Sequence, residues 1–150
     1  MDGVLCDFEK GVIKAINREL ASKNPKNPEL AVAVVNDLGR NYVTVDDIQK
    51  FSPGKSSAAT KYMYKLVHDD ENFWANLDWQ PGGKQLWAYI RKFEPDILTS
   101  PMDKQGHNES LAGKLIWVEK NLGLSPDRVN FAHDKYKFAV SEDGKPNVLI

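Results

Sequence analysis

Three short polar groups stand beside apolar runs in this chain: Asp2-Gly3 and Asp7 around Val4 to Cys6, Thr99-Ser100 after Ile97-Leu98, and Asp134-Lys135 after a run ending at Ala132. Hydroxyls and an ammonium group can hold a phosphate, and carboxylates can hold a magnesium ion or exchange a proton. Taken singly, these residues are ordinary, because Asp-Gly is a common turn and Thr-Ser-Pro a common loop entry. They become chemistry only if three strand ends meet, since ligands of open parallel sheets sit beyond the carboxyl ends of the strands. The question is therefore which elements bring positions 2, 99 and 135 together.

Helical spacing of Val12, Ile13, Ile16 and Leu20 predicts a first helix over about Asp7 to Ala21, ended by the prolines of the 22–28 segment. Glu29 to Leu38 predicts a second helix closed by Gly39, and Thr44 supplies N-cap chemistry for a third that ends at Pro53-Gly54. Ser56 to His68 carries Tyr62, Met63, Leu66 and Val67 at helical spacing, and the acidic run Asp69-Asp70-Glu71 suits a helix N-terminus just before Phe73. Beyond Pro81-Gly82-Gly83, the stripe Leu86, Trp87, Ile90, Phe93 predicts a helix, and Asp96 to Ser100 a buried parallel strand. Leu111, Leu115, Val118 and Leu122 predict a helix capped by Gly123, followed by strands at Arg128 to Ala132 and Asn147 to Ile150 around the turn Gly144-Lys145-Pro146. Val4 to Cys6 reads as a first, very short strand. The alternation implies an α/β fold, a parallel sheet flanked by helices, with a helical cap inserted before Pro81.

Composition bounds the rest. At 150 residues and 41% hydrophobic, the chain can bury one core, perhaps with an insertion. Its net charge of −1 argues against binding duplex nucleic acid through general attraction to phosphates. The single cysteine, Cys6, excludes an internal disulfide and a multi-cysteine zinc site and suits a reducing compartment, so a cytoplasmic location is expected. No apolar run approaches the roughly 20 residues of a membrane span, and no membrane partner is expected. His68, His107 and His133 have no metal-triad spacing, and Lys104 reads as a solvated loop residue. Trp87 and Trp117 read as structural, and Cys6 as a small buried hydrophobe.

The run Met1-Asp-Gly-Val-Leu-Cys-Asp-Phe8 resembles the first motif of the haloacid dehalogenase superfamily, starting one residue late. Phe73-Trp74, Pro81-Gly82, Ile97-Leu-Thr-Ser-Pro101, Lys114, Trp117-Val-Glu-Lys120, Leu122-Gly123 and Asp134-Lys135 resemble, in order, the 5'(3')-deoxyribonucleotidase family. The resemblance implies a Rossmann-like core over 1–8 and 78–150 with a helical cap over 9–77. It implies a magnesium-dependent phosphomonoesterase acting on deoxyribonucleoside monophosphates through an aspartyl-phosphate, a hydrolase of nucleotide metabolism. Asp2 would be the general acid and base, its carbonyl a magnesium ligand. Thr99 and Ser100 would bind phosphoryl oxygens, and Lys114 and Lys135 would neutralise charge, spacing leaving open which does more. Phe8, Phe73 and Trp74 would line a nucleobase pocket, with ordinary core packing as the alternative. A homodimer is a further expectation.

Both ends depart from that family. The nucleophilic aspartate would precede Met1, and an acidic pair supplying a metal ligand would follow Ile150, so the expectation is that these residues are an internal stretch of a longer protein. Two alternatives stand beside the nucleotidase: a phosphatase for another small phosphate ester, and a non-catalytic phosphate-binding or interaction domain.

Overall fold

A computed structural model describes residues 1–48, 61, 65–68, 70–102, 109–141 and 143–148. Helix α1, Phe8–Leu20, starts where the Asp7 carboxylate accepts the Lys10 N–H, and it buries Val12, Ala15 and Ile16 on one face. Helix α2, Pro28–Leu38, opens on a proline whose fixed φ suits the first turn and closes at Gly39, in the left-handed region at φ 68°. Between α2 and α3, Val45–Ile48, the chain is pinned to α1 by Asn17, which donates to the Val43 carbonyl at 2.9 Å and accepts the Val43 N–H at 2.8 Å. Residues 65–68 are helical, as expected for the end of the 56–68 segment, most of which lies outside the described residues.

Helix α4, Glu71–Ala75, is capped by the Asp70 carboxylate, the role expected of the acidic run. Helix α5, Gly83–Ile90, precedes β1, Ile97–Thr99; helix α6, Glu109–Leu122, then carries the chain over to β2, Val129–Phe131. The two strands pair in parallel, Ile97 opposite Val129 and Thr99 opposite Phe131, so α6 is the crossover that a parallel pair requires. Helices α4 and α6 touch closely at Gly113, where a Cβ would come within 2.5 Å of the Glu71 carbonyl oxygen and of the Trp74 Cβ.

The chain is thus mixed α/β, mostly helical, with a small parallel sheet, and two expected strands are absent among the described residues. At Val4 to Cys6 the Met1 carbonyl accepts the N–H groups of Val4, Leu5 and Cys6, so a tight turn consumes the donors that a ladder would use. Cys6 makes only isolated bridges, to Asp2 and to Trp79. Near the C-terminus the turn around Gly144 forms, but residues 147 and 148 are irregular, and positions 149 and 150 lie outside the described residues.

Among the described residues the buried apolar side chains fall into two clusters. One gathers Leu5, Cys6, Trp74, Leu77, Trp87, Ile97, Trp117 and Val118; the other gathers Val12, Ile16, Leu30, Val34, Val43 and Val67. Phe8, Phe73 and Met102 pack against both. Among the described residues no helix is long and apolar enough to cross a membrane.

Candidate functional site

Lys114 lies in the middle of α6, where its side chain is 1% exposed and points into the first cluster. An ammonium group so placed needs acceptors, because burying an unpaired charge costs several kcal/mol. It has three: Asp2 Oδ2 at 2.7 Å, the Ser100 carbonyl at 2.6 Å and Thr99 Oγ1 at 3.4 Å. The ammonium also lies 4.7 Å from the centroid of the Trp74 ring, within cation–π range. Pairing of β1 with β2 holds Thr99 and Ser100 in place: the Ala132 N–H donates to the Thr99 carbonyl, and Ser100 Oγ donates to the Ala132 carbonyl, both at 3.0 Å.

Asp2 reaches the same point from the turn at the start of the chain. Its side chain is 31% exposed, and its Oδ1 accepts a weak hydrogen bond from Cys6 Sγ at 3.5 Å. Burial, reinforced by the negative charge of Asp2, pushes the Cys6 thiol up to about 12, so it is neutral near pH 7 and packs as the expected hydrophobe. Asp2, Thr99, Ser100 and Lys114 are therefore brought together. Lys135 is exposed, on a 3-10 turn after β2, and lines a cleft of about 190 Å³ with Asp2 and Leu98. Asp7 is engaged as the α1 cap.

The aromatic residues contact one another. Phe8 stacks on Trp74 with centroids 5.3 Å apart and planes at 17°, and Phe73 meets both rings edge-on. The Trp74 indole donates to the Val67 carbonyl at 2.9 Å. The rings fill space between the two clusters, and Phe73 also lines a cavity of about 330 Å³. Trp87 and Trp117 are buried, as expected of structural residues, and the Trp117 indole donates to the Leu77 carbonyl at 2.8 Å. His107 and Lys104 lie outside the described residues.

Sequence reasoning missed one buried carboxylate. Asp47 is 1% exposed and accepts from the Thr44 N–H at 2.9 Å, the Thr44 hydroxyl at 2.8 Å and Arg40 at 2.5 Å. Burial alone would raise its pKa, but these bonds outweigh it and hold the carboxyl well below the usual range. Thr44 was expected to accept a backbone N–H as an N-cap; its hydroxyl donates instead. The signal available was a Thr-x-x-Asp spacing close behind an arginine.

Comparison with known proteins revises the family reading. No family model matches the chain, and no solved structure matches it. Glia maturation factor of Drosophila melanogaster is 30% identical to it over 77 residues. That match takes in 47% of this chain and 56% of the fly protein, so the chain spans little more than half the length of this curated relative.

The similarity overturns the expected kinship with the haloacid dehalogenase superfamily and its deoxyribonucleotidases. With it go the magnesium-dependent phosphomonoesterase activity, the hydrolase and nucleotide-metabolism assignments, and the nucleotide substrate. The short motifs that carried the resemblance have physical uses of their own. Asp2-Gly3 makes a turn with Gly3 at φ 73°, Thr99-Ser100 ends a strand, and Lys114 ties the two together. Motifs of this length arise wherever a turn and a strand end need polar residues, so they do not by themselves distinguish a reaction centre from a brace. Among the described residues no three His, Cys, Asp or Glu side chains gather as a metal-holding group, and the Asp2 carboxylate already faces a cation, Lys114.

Proposed function

We propose that this chain is a non-catalytic factor that acts by binding a protein partner. Similarity to glia maturation factor supports the reading, and the observation that carries it is the saturation of Lys114. An ammonium group has three N–H donors, and Asp2, Thr99 and Ser100 present three acceptors, so an incoming phosphate would have to break internal bonds rather than fill open ones. In this reading Asp2, Thr99, Ser100 and Lys114 brace the first turn against the end of β1 and the middle of α6. Residues 1–8 and 78–150 form one unit and 9–77 a second, with α4 packed at their seam. The single free cysteine, Cys6, suits a reducing compartment and supports a cytoplasmic location for the factor. Magnesium at the Asp2 backbone carbonyl stands as a proposal of its own: a magnesium titration should move the Asp2 carbonyl resonance, and an unmoved resonance at millimolar ion removes it.

Two measurements test the binding reading. In Drosophila cells depleted of glia maturation factor, this chain should restore growth and morphology at matched expression. Rescue by the fly protein alone would overturn the reading. Hydrolysis of p-nitrophenyl phosphate with magnesium should be equally low for the wild type and Asp2→Asn, whereas turnover that depends on Asp2 would overturn it as well.

A further inference from the structure

Helix α5 continues into a 3-10 turn over Arg91–Phe93 and packs Leu86, Trp87 and Ile90 on the first core. Its other side carries Lys84, Tyr89, Arg91, Lys92 and Phe93, all exposed. No carboxylate occurs between Gly83 and Phe93, and among the described residues none of these three cations has an acid within ion-pairing distance. The acids just beyond the turn are gathered elsewhere. Asp96 accepts from Arg128, and the charges of Glu94 and Asp127 also act on that guanidinium.

With no carboxylate to meet, the Lys92 ammonium rests over two rings, 4.4 Å from the Tyr89 centroid and 4.9 Å from that of Phe93. Those rings meet edge-on at 5.9 Å and are 62% and 64% exposed. Such contacts are weak at an exposed site, so the ammonium stays available to a carboxylate. The backbone fixes this arrangement. The turn ends at Glu94, whose φ of 51° and ψ of 50° lie in the left-handed region that favours glycine, and Arg128 holds it there by donating to the Glu94 carbonyl. Strain of this kind persists only where contacts impose it, and it gathers at binding sites. Here it sets the point at which Phe93 leaves the helix.

We infer that the exposed face of α5 and its terminal turn docks an acidic peptide segment of a protein partner, its carboxylates on Lys84, Arg91 and Lys92 and an apolar side chain on Tyr89 and Phe93. Charge complementarity selects the occupant, since the face holds three unpaired cations and no acid. Single-stranded nucleic acid is the weaker fit: bases stack on open ring faces, and Lys92 already covers these, whereas a carboxylate meets the ammonium where it stands. The inference rests on the protein-binding reading above and names the chemistry of the partner.

Fluorescence anisotropy on the full chain tests it, with a labelled Gly-Glu-Glu-Leu-Phe-Glu-Glu-Gly peptide. The same peptide with Lys in place of Glu, the same with Ser-Ser in place of Leu-Phe, and oligo(dT) are the controls. The acidic peptide should bind saturably and more weakly at high salt, and the lysine peptide should not bind. The exposed pair Arg91→Gln with Lys92→Gln should weaken it at least about tenfold while circular dichroism is unchanged. Lys23→Gln with Lys26→Gln, which removes as much charge from an exposed loop elsewhere, should leave binding as it is. Tyr89→Gln with Phe93→Gln should weaken the Leu-Phe peptide roughly 3- to 10-fold and leave the Ser-Ser peptide unchanged. Absence of binding at millimolar peptide, equal losses from the two cation pairs, equal effects of the ring pair on both acidic peptides, or tighter binding of oligo(dT) than of the acidic peptide would overturn the inference. Rescue of fly cells together with no peptide binding would remove this inference and leave the protein-binding reading standing.

Discussion

The two cores of this protein solve the polar-group problem in opposite ways. In the first, Lys114 and three tryptophans lie inside, and the ammonium and the Trp74 and Trp117 indoles are met by a carbonyl, hydroxyl or carboxylate from another part of the chain. In the second, the interior is aliphatic, Val12, Ile16, Leu30, Val34, Val43 and Val67, and the polar braces sit at the margin, where Asn17 pins residue 43 and Asp47 joins Arg40 to Thr44. A buried polar network specifies one arrangement of its elements but fails badly when half of it is removed, whereas an aliphatic core loses stability in proportion to the volume taken out. The first core should therefore fail through polar groups left without partners, and the second through volume removed.

Substitutions can break or sharpen that contrast. The largest effect is expected from Ile16→Ala, which should cost about 2–5 kcal/mol in chemical denaturation by emptying the centre of the aliphatic core. Lys114→Met keeps the bulk and strips the charge. Asp2 is partly exposed and can be rehydrated, so the cost should be about 2–3 kcal/mol, below the about 3–5 kcal/mol of a fully buried pair. If the double variant sums to within about 0.5 kcal/mol, the two cores are energetically separate; a larger coupling would erase the distinction. Gly113→Ala should cost about 1–3 kcal/mol by forcing α4 and α6 apart, and the same change at the open position Gly39 should act through backbone strain alone. The smallest effect, about 1–2 kcal/mol, belongs to Asp47→Asn, and it is readable by pH. The folded-state pKa of Asp47 is depressed, so its contribution is complete above the ordinary value of 3.8 and is lost as pH falls below it. Unfolding of Asp47→Asn should accordingly depend less on pH on the acid side than unfolding of the wild type.

Local signals were readable. The helix over Phe8–Leu20 followed from Asp7 and the Val12, Ile16 spacing, α2 from its flanking Pro28 and Gly39, and the parallel pair from two short apolar runs separated by a helix. Thr99, Ser100 and Lys114 were singled out from sequence and do meet around one ammonium group. The strand expected at Val4 to Cys6 failed because one carbonyl, that of Met1, collects three N–H groups, an arrangement that apolar character cannot reveal. Asp47 and Asn27 were passed over because their importance is burial, and a residue that looks like a solvated helix cap shows nothing of the elements that will cover it. The reaction expected of the motif residues failed for a related reason: a lysine between a carboxylate and two strand-end groups has the same letters whether its bonds are open or closed.

What the amino-acid sequence determined by itself is local: where helices begin and end, which stripes are apolar, and which polar residues stand at strand ends. These depend on interactions within a few residues, so spacing and residue type suffice. Only the tertiary structure decided that Lys114 is saturated, that Asp47 is buried in a salt-bridged turn, and that Asn27 is buried with its side-chain oxygen unbonded. Each of these is a property of groups distant along the chain or of the water removed between them, and burial is what turns an ordinary polar side chain into a brace or a binding group.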